Sequence, residues 1–148
     1  LHAQNWPWAQ KAFGRKWASE DADPAASFDN KYAVEATLDK VAKDRAATSD
    51  ANHFLYLVKA NQLFVAGGED TPEAGLKAID APTLMLQAEG DLVFFPGLAD
   101  QTQQMIESDG TTVDRASIPG DRGHLNGVLN IKSQGDKIRA FLTRDVGE

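Results

Sequence analysis

The sequence predicts an α/β fold in which two parallel strands alternate with helices. Two short apolar runs, in "APTLMLQAEGD" and "TTVDRASIP", have the composition of strands. Each run is followed by a segment whose apolar residues recur at helical spacing. Because the order is strand, helix, strand, helix, we expect parallel strands joined by a right-handed crossover.

The first part of the chain, up to residue 67, is predicted to be helical. Its apolar residues recur at the spacing of one helix face, as in Val34, Leu38 and Val41. Asp50 stands where the N-cap of a second helix would be, and Gly67 with Gly68 marks the end of this zone. Thr71 and Pro72 then indicate the start of a short helix, with the proline in its first turn.

The second part of the chain carries the strands. The apolar run after Ala81 is typical of a strand buried on both faces, and a helix is predicted from Pro96 to about Ser108. The second strand, within residues 111–119, is more polar, which favours a position nearer the edge of the sheet. A closing helix is predicted from about Gln134 to Thr143. Its apolar residues, which we expect to be buried, are Ile138, Phe141 and Leu142.

A sheet of two parallel strands is incomplete. It leaves strand edges and much of one face uncovered, and two-stranded sheets are marginal on their own. We therefore expect further strands to come from outside these 148 residues. The uncovered edge also predicts that the isolated chain dimerises, aggregates or binds an apolar dye.

Composition excludes several classes of function. The chain has 15 basic and 22 acidic residues, and its net charge of −7 would repel a phosphate backbone, so nucleic acid is excluded as a partner. No apolar stretch approaches the roughly 20 residues that span a bilayer, so we expect no membrane association and a cytoplasmic protein. There is no cysteine, and the three histidines lack the spacing of metal-binding motifs, so we predict no metal and no bound cofactor.

Two residues with catalytic potential follow the two predicted strands. Asp91 comes after the first strand and His124 after the second, and ligands of open α/β sheets bind beyond the carboxyl ends of the strands. One helix and one strand fit between them, since 124 − 91 = 33 residues. An acid followed by a histidine in this order fits the last two members of a Ser-Asp-His triad on an α/β-hydrolase sheet. Taken separately, each is also compatible with an ordinary loop residue.

Three segments resemble the homoserine O-acetyltransferase family of α/β-hydrolases. They are "DANHFLYLVKANQLF" (50–64), "IDAPTLMLQAEGDLVFFP" (79–96) and the "GH" that ends at His124, and the likeness extends over about residues 31–142. It implies a partial α/β-hydrolase fold, with residues 1–67 as a helical lid region and residues 68–148 as the C-terminal part of the core. In that family the acid of "sDxLFP" is the triad acid and the histidine of "GHD" is the general base, which implies these roles for Asp91 and His124.

The resemblance also implies a serine-dependent acyltransferase. The family's nucleophilic serine lies in a "GxSxG"-type turn before the lid, and this sequence contains no such turn. Ser133 does not replace it, because Ile131 stands in the place of the first glycine and the serine follows the histidine. The implied partner is an N-terminal half that carries the serine, without which we expect no activity. The implied substrates are small esters or thioesters, with acetyl-CoA as a candidate acyl donor.

One departure from the family pattern affects the substrate. The family has an acid directly after the histidine, whereas this chain has Leu125. A carboxylate there would help to position an amine, so its loss makes homoserine a less suitable acceptor. An esterase of the same fold is therefore nearly as well supported as an acyltransferase. A third interpretation, from a different class, is an interaction domain that has kept these residues without catalysis.

Overall fold

Two parallel strands form the sheet in the computed structural model, which describes residues 3–144. Strand β1 (Thr83–Ala88) pairs with β2 (Val113–Ile118), with Thr83 opposite Val113 at one end and Ala88 opposite Ile118 at the other. Within the described residues the sheet has no third strand. The predicted α/β class and the incomplete sheet are therefore confirmed. Residues 1–2 of the predicted lid region and residues 145–148 of the predicted core region lie outside the residues that the structure describes.

Seven α-helices occur among the described residues. In chain order they are α1 (Trp6–Ala12), α2 (Ala33–Thr48), α3 (Ala51–Leu63), α4 (Pro72–Lys77), α5 (Pro96–Glu107), α6 (Asn126–Leu129) and α7 (Gly135–Leu142). Short 3₁₀ helices lie at Ala66–Gly68, Gly123–Leu125 and Ile131–Gln134. Helix α5 connects β1 to β2, and α7 follows β2, so the alternation predicted from the sequence is present.

The helices begin at the predicted signals. The Asp50 carboxylate accepts a hydrogen bond from the backbone N–H of His53, which caps α3. The Thr71 hydroxyl accepts one from the N–H of Ala74, which caps α4. A side-chain acceptor satisfies an N–H group that has no partner within the helix, so both residues fix where their helices start.

Helix α5 is attached to the sheet through Arg115 of β2. The guanidinium forms an ion pair with Asp100 and a 3.3 Å hydrogen bond with Gln103, both on α5. It also donates to the side chain of Gln87 on β1 at 3.0 Å. One cation thus joins both strands to the crossover helix. Beside this network Ile106 of α5 is buried with 3% exposure.

Burial is lower than the sequence predicts. The prediction that β1 is buried on both faces is wrong for this chain, since only Ala88 of that strand is buried. Within residues 3–144, β1 pairs with β2 alone, so no second strand flanks it and its side chains lack the cover that the side chains of such a strand would give. In α7, Ile138 and Phe141 are partly buried as expected, but Leu142 is 74% exposed.

The chain divides into two compact units. One contains the residues up to Ala9 and those from Val65 onward, and the other contains residues 10–64. In the second unit an isolated antiparallel bridge joins Trp17 to Tyr32, and α2 and α3 contain no buried residue. Assignment of residues 1–67 to a lid stays a prediction. No helix among residues 3–144 is long and apolar enough to cross a membrane.

The uncovered sheet leads to a first testable prediction. We expect the isolated chain to bind an apolar dye and to self-associate, because β1 exposes backbone groups and apolar side chains that a further strand would cover. Met85→Lys places a charge on β1 and should lower both signals, measured by dye fluorescence and light scattering.

The matched control is Leu38→Lys on the exposed helix α2. Leu38 is 44% exposed, and this change adds the same charge outside the sheet. If Leu38→Lys removes the dye signal and Met85→Lys does not, the dye binds the helices and does not bind the uncovered sheet. A wild-type chain that is monomeric and binds no dye would also contradict the prediction.

Candidate active site

The two loops that carry the predicted site residues emerge at the same end of the sheet. Because β1 and β2 are parallel and in register, Ala88 and Ile118 end side by side. Asp91 follows Ala88 by three residues (91 − 88), and His124 follows Ile118 by six (124 − 118). The second loop needs the additional length because His124 lies in a turn of 3₁₀ helix, Gly123–Leu125.

Asp91 and His124 are in direct contact. The Oδ2 atom of Asp91 lies 2.9 Å from Nδ1 of the His124 ring, although 33 residues separate them. The other carboxylate oxygen, Oδ1, accepts hydrogen bonds from the backbone N–H groups of Val93 at 2.8 Å and Phe94 at 2.9 Å. Both oxygens are therefore engaged, and the carboxylate is held in one orientation toward the imidazole.

Burial differs sharply between the two residues. Asp91 is 4% exposed, whereas 34% of the His124 side chain is exposed. The Phe94 ring meets the His124 ring edge to face, with centroids 5.0 Å apart, so the imidazole is restrained from a second side. If the acid orients the base and the base contacts a reactant, the acid should be enclosed and the base should reach solvent. Asp91 and His124 have this arrangement.

The environment of Asp91 favours its ionised form. Burial by itself raises the pKa of the carboxyl group, but the hydrogen bonds from His124, Phe94 and Val93 outweigh it, and the net pKa lies below the usual 3.8. The carboxylate is therefore charged at neutral pH and can accept a hydrogen bond from the N–H group at Nδ1 of His124.

A lowered pKa in the folded state predicts how stability depends on pH. Asp91 binds a proton less readily when folded than when unfolded, so its contribution to stability is complete above the unfolded value of about 3.9 and is lost as the pH falls through the folded value. We expect the free energy of unfolding of the wild-type chain to decrease below about pH 5 more steeply than that of Asp91→Asn. Urea unfolding measured from about pH 2 to about pH 7 tests this, because that range spans the titration of the carboxyl group.

The control for that measurement is Asp109→Asn. Asp109 is exposed, and the change removes one carboxyl group without touching the site. This variant should keep the wild-type pH dependence. Equal slopes for the wild type and Asp91→Asn would show that the contacts of Asp91 do not stabilise its ionised form.

A cleft of about 530 Å³ borders the pair. Its wall is mainly apolar, with polar groups from Asp91, His124, Gln87 and Thr102. The apolar contributors include Met85, Leu86, Phe94, Leu98 and Val128. A cleft of this size with few polar groups is typical of sites for small molecules.

The second ring nitrogen of His124, Nε2, has no hydrogen-bond partner among the described residues. Ser133, the first serine after it in the sequence, donates its hydroxyl to the carbonyl oxygen of Asn130 at 2.8 Å. No group of three His, Cys, Asp or Glu side chains that could hold a metal occurs within residues 3–144.

Comparisons with known proteins were made by sequence and by structure. No family model matches the chain. It is 30% identical over 145 residues to a homoserine O-acetyltransferase of Natronomonas pharaonis, a match that covers 93% of this chain and 36% of that protein. A homoserine O-acetyltransferase of Pelobacter propionicus is 27% identical over 134 residues, covering 90% of this chain and 36% of that protein.

Two solved structures are similar to the described fold. Esterase E22 has a TM-score of 0.80 and 34% sequence identity, covering 95% of this chain and 39% of that one. A homoserine O-acetyltransferase from Bacillus anthracis has a TM-score of 0.82 over 99% of this chain and 39% of that one; at 23% identity it shows the fold alone. The chain spans little more than a third of the length of these relatives.

The sheet, the crossover and these similarities define the class: the chain has the fold of part of an α/β-hydrolase. Within that class it is similar to homoserine O-acetyltransferases, and the similarity is to their C-terminal part, 36% of the length of the two relatives named above. The similar proteins in this group are acyltransferases and esterases.

Two residues that contact the site, Phe94 and Asn5, were not identified from the sequence. Phe94 touches the His124 ring, and Asn5 packs against the glycines that precede Asp91 and His124. For Asn5 a signal existed, because asparagine is a preferred N-cap residue and Pro7 would lie in the first turn of the helix that follows. That signal locates a helix start and contains no information about distant loops.

Proposed function

We propose that the chain supplies the acid and the base of a Ser-His-Asp triad in a serine-dependent acyltransferase of the homoserine O-acetyltransferase type. Asp91 is the acid, His124 is the general base, and the nucleophilic serine belongs to an N-terminal half outside these 148 residues. The observation that carries the proposal is the 2.9 Å contact from Asp91 to Nδ1 of His124, which leaves Nε2 available to a hydroxyl.

The proposed reaction has two steps. His124 takes the proton from the serine hydroxyl through Nε2 while the serine oxygen attacks the carbonyl carbon of an ester or thioester. The same proton passes to the departing alcohol or thiol, and an acyl-serine remains. An acceptor hydroxyl then gives its proton to His124 and attacks the acyl carbon. The bond from this carbon to the serine oxygen breaks, and His124 returns the proton to that oxygen, which regenerates the serine. Asp91 holds the ring in the required tautomer and stabilises its cation in both steps.

The acceptor distinguishes transferase from esterase. In the proposed transferase it is an alcohol, with acetyl-CoA as the candidate donor, and in an esterase it is water. The esterase alternative is favoured by a specific observation: Leu125 follows the histidine, and the cleft beside the pair is lined mainly by apolar side chains. Such a wall suits an apolar acyl or alkyl group better than the amine of an amino acid.

The test is to supply the missing serine. We would express this chain joined to, or together with, an N-terminal half that carries a "GxSxG" turn, and measure hydrolysis of a p-nitrophenyl ester. Activity is expected for the assembled protein and not for the chain alone. Addition of an alcohol then separates the two activities, because a transferase forms a new ester and an esterase releases only the acid.

The interaction-domain interpretation gives the opposite result. A chain that is folded and monomeric by itself, and that stays inactive toward the ester after the N-terminal half is added, would support it and contradict the triad proposal. The N-terminal half whose serine is changed to alanine is the matched control, since it assembles in the same way and lacks the nucleophile.

A further inference from the structure

We propose that Asn5 is a positioning residue that holds the Asp91 loop and the His124 loop at their working distance. This inference rests on the proposed function. It concerns a short segment, residues 3–8, that lies outside both loops and that none of the sequence patterns connected with the site.

The two loops meet through a pair of glycines. Gly90 directly precedes Asp91, and Gly123 directly precedes His124; their φ angles are +64° and +54°. A Cβ atom placed on Gly123 would lie 3.0 Å from the carbonyl oxygen of Gly90. The backbones are thus so close that a Cβ atom between them would force its neighbours to shift, and a small shift of either glycine moves the functional residue next to it.

Asn5 fills the space beside this glycine pair. It is 8% exposed. A Cβ atom on Gly90 would lie 3.0 Å from its Nδ2 atom and 3.3 Å from its Cβ atom, and a Cβ atom on Gly123 would lie 3.0 Å from its backbone nitrogen. One residue therefore packs against both loops at the positions that determine where the carboxylate and the imidazole point.

Asn5 is itself fixed by its neighbours. Its Oδ1 atom accepts a hydrogen bond from the N–H of Trp8 at 3.2 Å, and its carbonyl oxygen accepts one from Ala9 at 3.2 Å, so it caps α1. The segment is also attached to the histidine loop on either side of Asn5. The Ala3 carbonyl oxygen accepts from the N–H of Leu125, and the Trp8 ring lies 6.0 Å from the Arg122 guanidinium.

These contacts distinguish two roles of one side chain. The oxygen caps the helix, whereas the amide group occupies the volume against Gly90. Asn5→Ser keeps an acceptor for the cap but loses that volume, and Asn5→Ala loses both. If Asn5 positions the loops, both variants should loosen the contact between Asp91 and His124. Gln10→Ala, an exposed change on the same helix, is the matched control.

The first readout is the Nδ1 proton of His124, observed by NMR in this chain alone. A proton held between an imidazole and a carboxylate exchanges slowly with water, so its resonance should be sharp in the wild type and in Gln10→Ala. We expect it to be lost in Asn5→Ala and in Asn5→Ser while the backbone spectrum stays that of a folded protein. An unchanged resonance in either variant overturns the inference.

The second readout is a pair of double-mutant comparisons by urea unfolding. Gly90→Ala and Gly123→Ala both place a side chain at positive φ, but only the first meets the Asn5 side chain; the second meets backbone atoms. Asn5→Ala should therefore reduce the shift in urea midpoint caused by Gly90→Ala and leave that of Gly123→Ala unchanged. If Asn5→Ala changes the midpoint shifts of Gly90→Ala and Gly123→Ala by the same amount, the inference is overturned.

In the assembled enzyme, Asn5→Ala should lower kcat by roughly 10²-fold with little change in KM, because the catalytic groups are misplaced and the cleft is intact. The NMR and unfolding results do not depend on catalysis. If they are as expected and the assembled wild type has no esterase or transferase activity, the proposed function fails while the positioning role of Asn5 stands.

Discussion

Replacement of His124 by alanine is expected to lower kcat of the assembled enzyme by about 10⁶-fold, the largest effect of any single change in this chain. The imidazole is the group that would take the serine proton and return it to the leaving group, and no other histidine contacts Asp91 among the described residues. KM should change little, since His124 contributes one polar group to a mainly apolar cleft. Steady-state ester hydrolysis by the assembled protein measures both constants.

The control for this variant is His53→Ala. His53 is exposed on α3, its backbone N–H donates to the Asp50 cap, and its side chain takes part in no hydrogen bond among the described residues. Its removal should leave kcat within a factor of about two, since surface changes away from special contacts have small effects. A His124→Ala variant that retains activity comparable with His53→Ala would exclude His124 as the base.

Replacement of Asp91 by asparagine is expected to lower kcat by about 10⁴-fold. The amide has nearly the same shape, and its oxygen can still accept from the N–H groups of Val93 and Phe94. Its NH₂ group would then face Nδ1 of His124 and favour the tautomer whose Nε2 carries a proton. That tautomer cannot accept a proton from the serine, so the fold is kept and the base is lost.

The double variant distinguishes a triad from two independent contributions. If the acid acts only through the base, Asp91→Asn combined with His124→Ala should be no slower than His124→Ala alone. Losses that multiply would contradict the proposed roles. Asp109→Asn again serves as the control for removal of a carboxylate.

The sequence predicted that Asp91 and His124 lie close together better than it predicted burial. Asp91 and His124 were predictable because parallel strands bring their carboxyl ends together, and this geometry requires only the positions of two strands. The exposure of most of β1 and of Leu142 was not predictable, because an apolar side chain is buried only when a partner covers it. In this chain the apolar pattern indicates a surface that some other segment would cover.

Asn5 illustrates a different limit. Its contacts with Gly90 and Gly123 join three loops that are far apart in the chain, and none of the three has a composition that indicates the others. The sequence contained the cap of a helix and two glycines before two functional residues. Only the folded arrangement shows that these features touch.

The register of β1 and β2 has a consequence for how proteins of this class diversify. Asp91 and His124 each follow the end of a strand at a short distance, and the strands are aligned by their own hydrogen bonds. Beyond Val93 and Phe94, which contact the pair, the length and composition of the crossover, including α5 and the turn at Gly110, do not set the separation of carboxylate and imidazole. Residues can therefore be inserted, deleted or exchanged along the crossover during evolution, and new surfaces can arise there, while the acid and the base stay in contact.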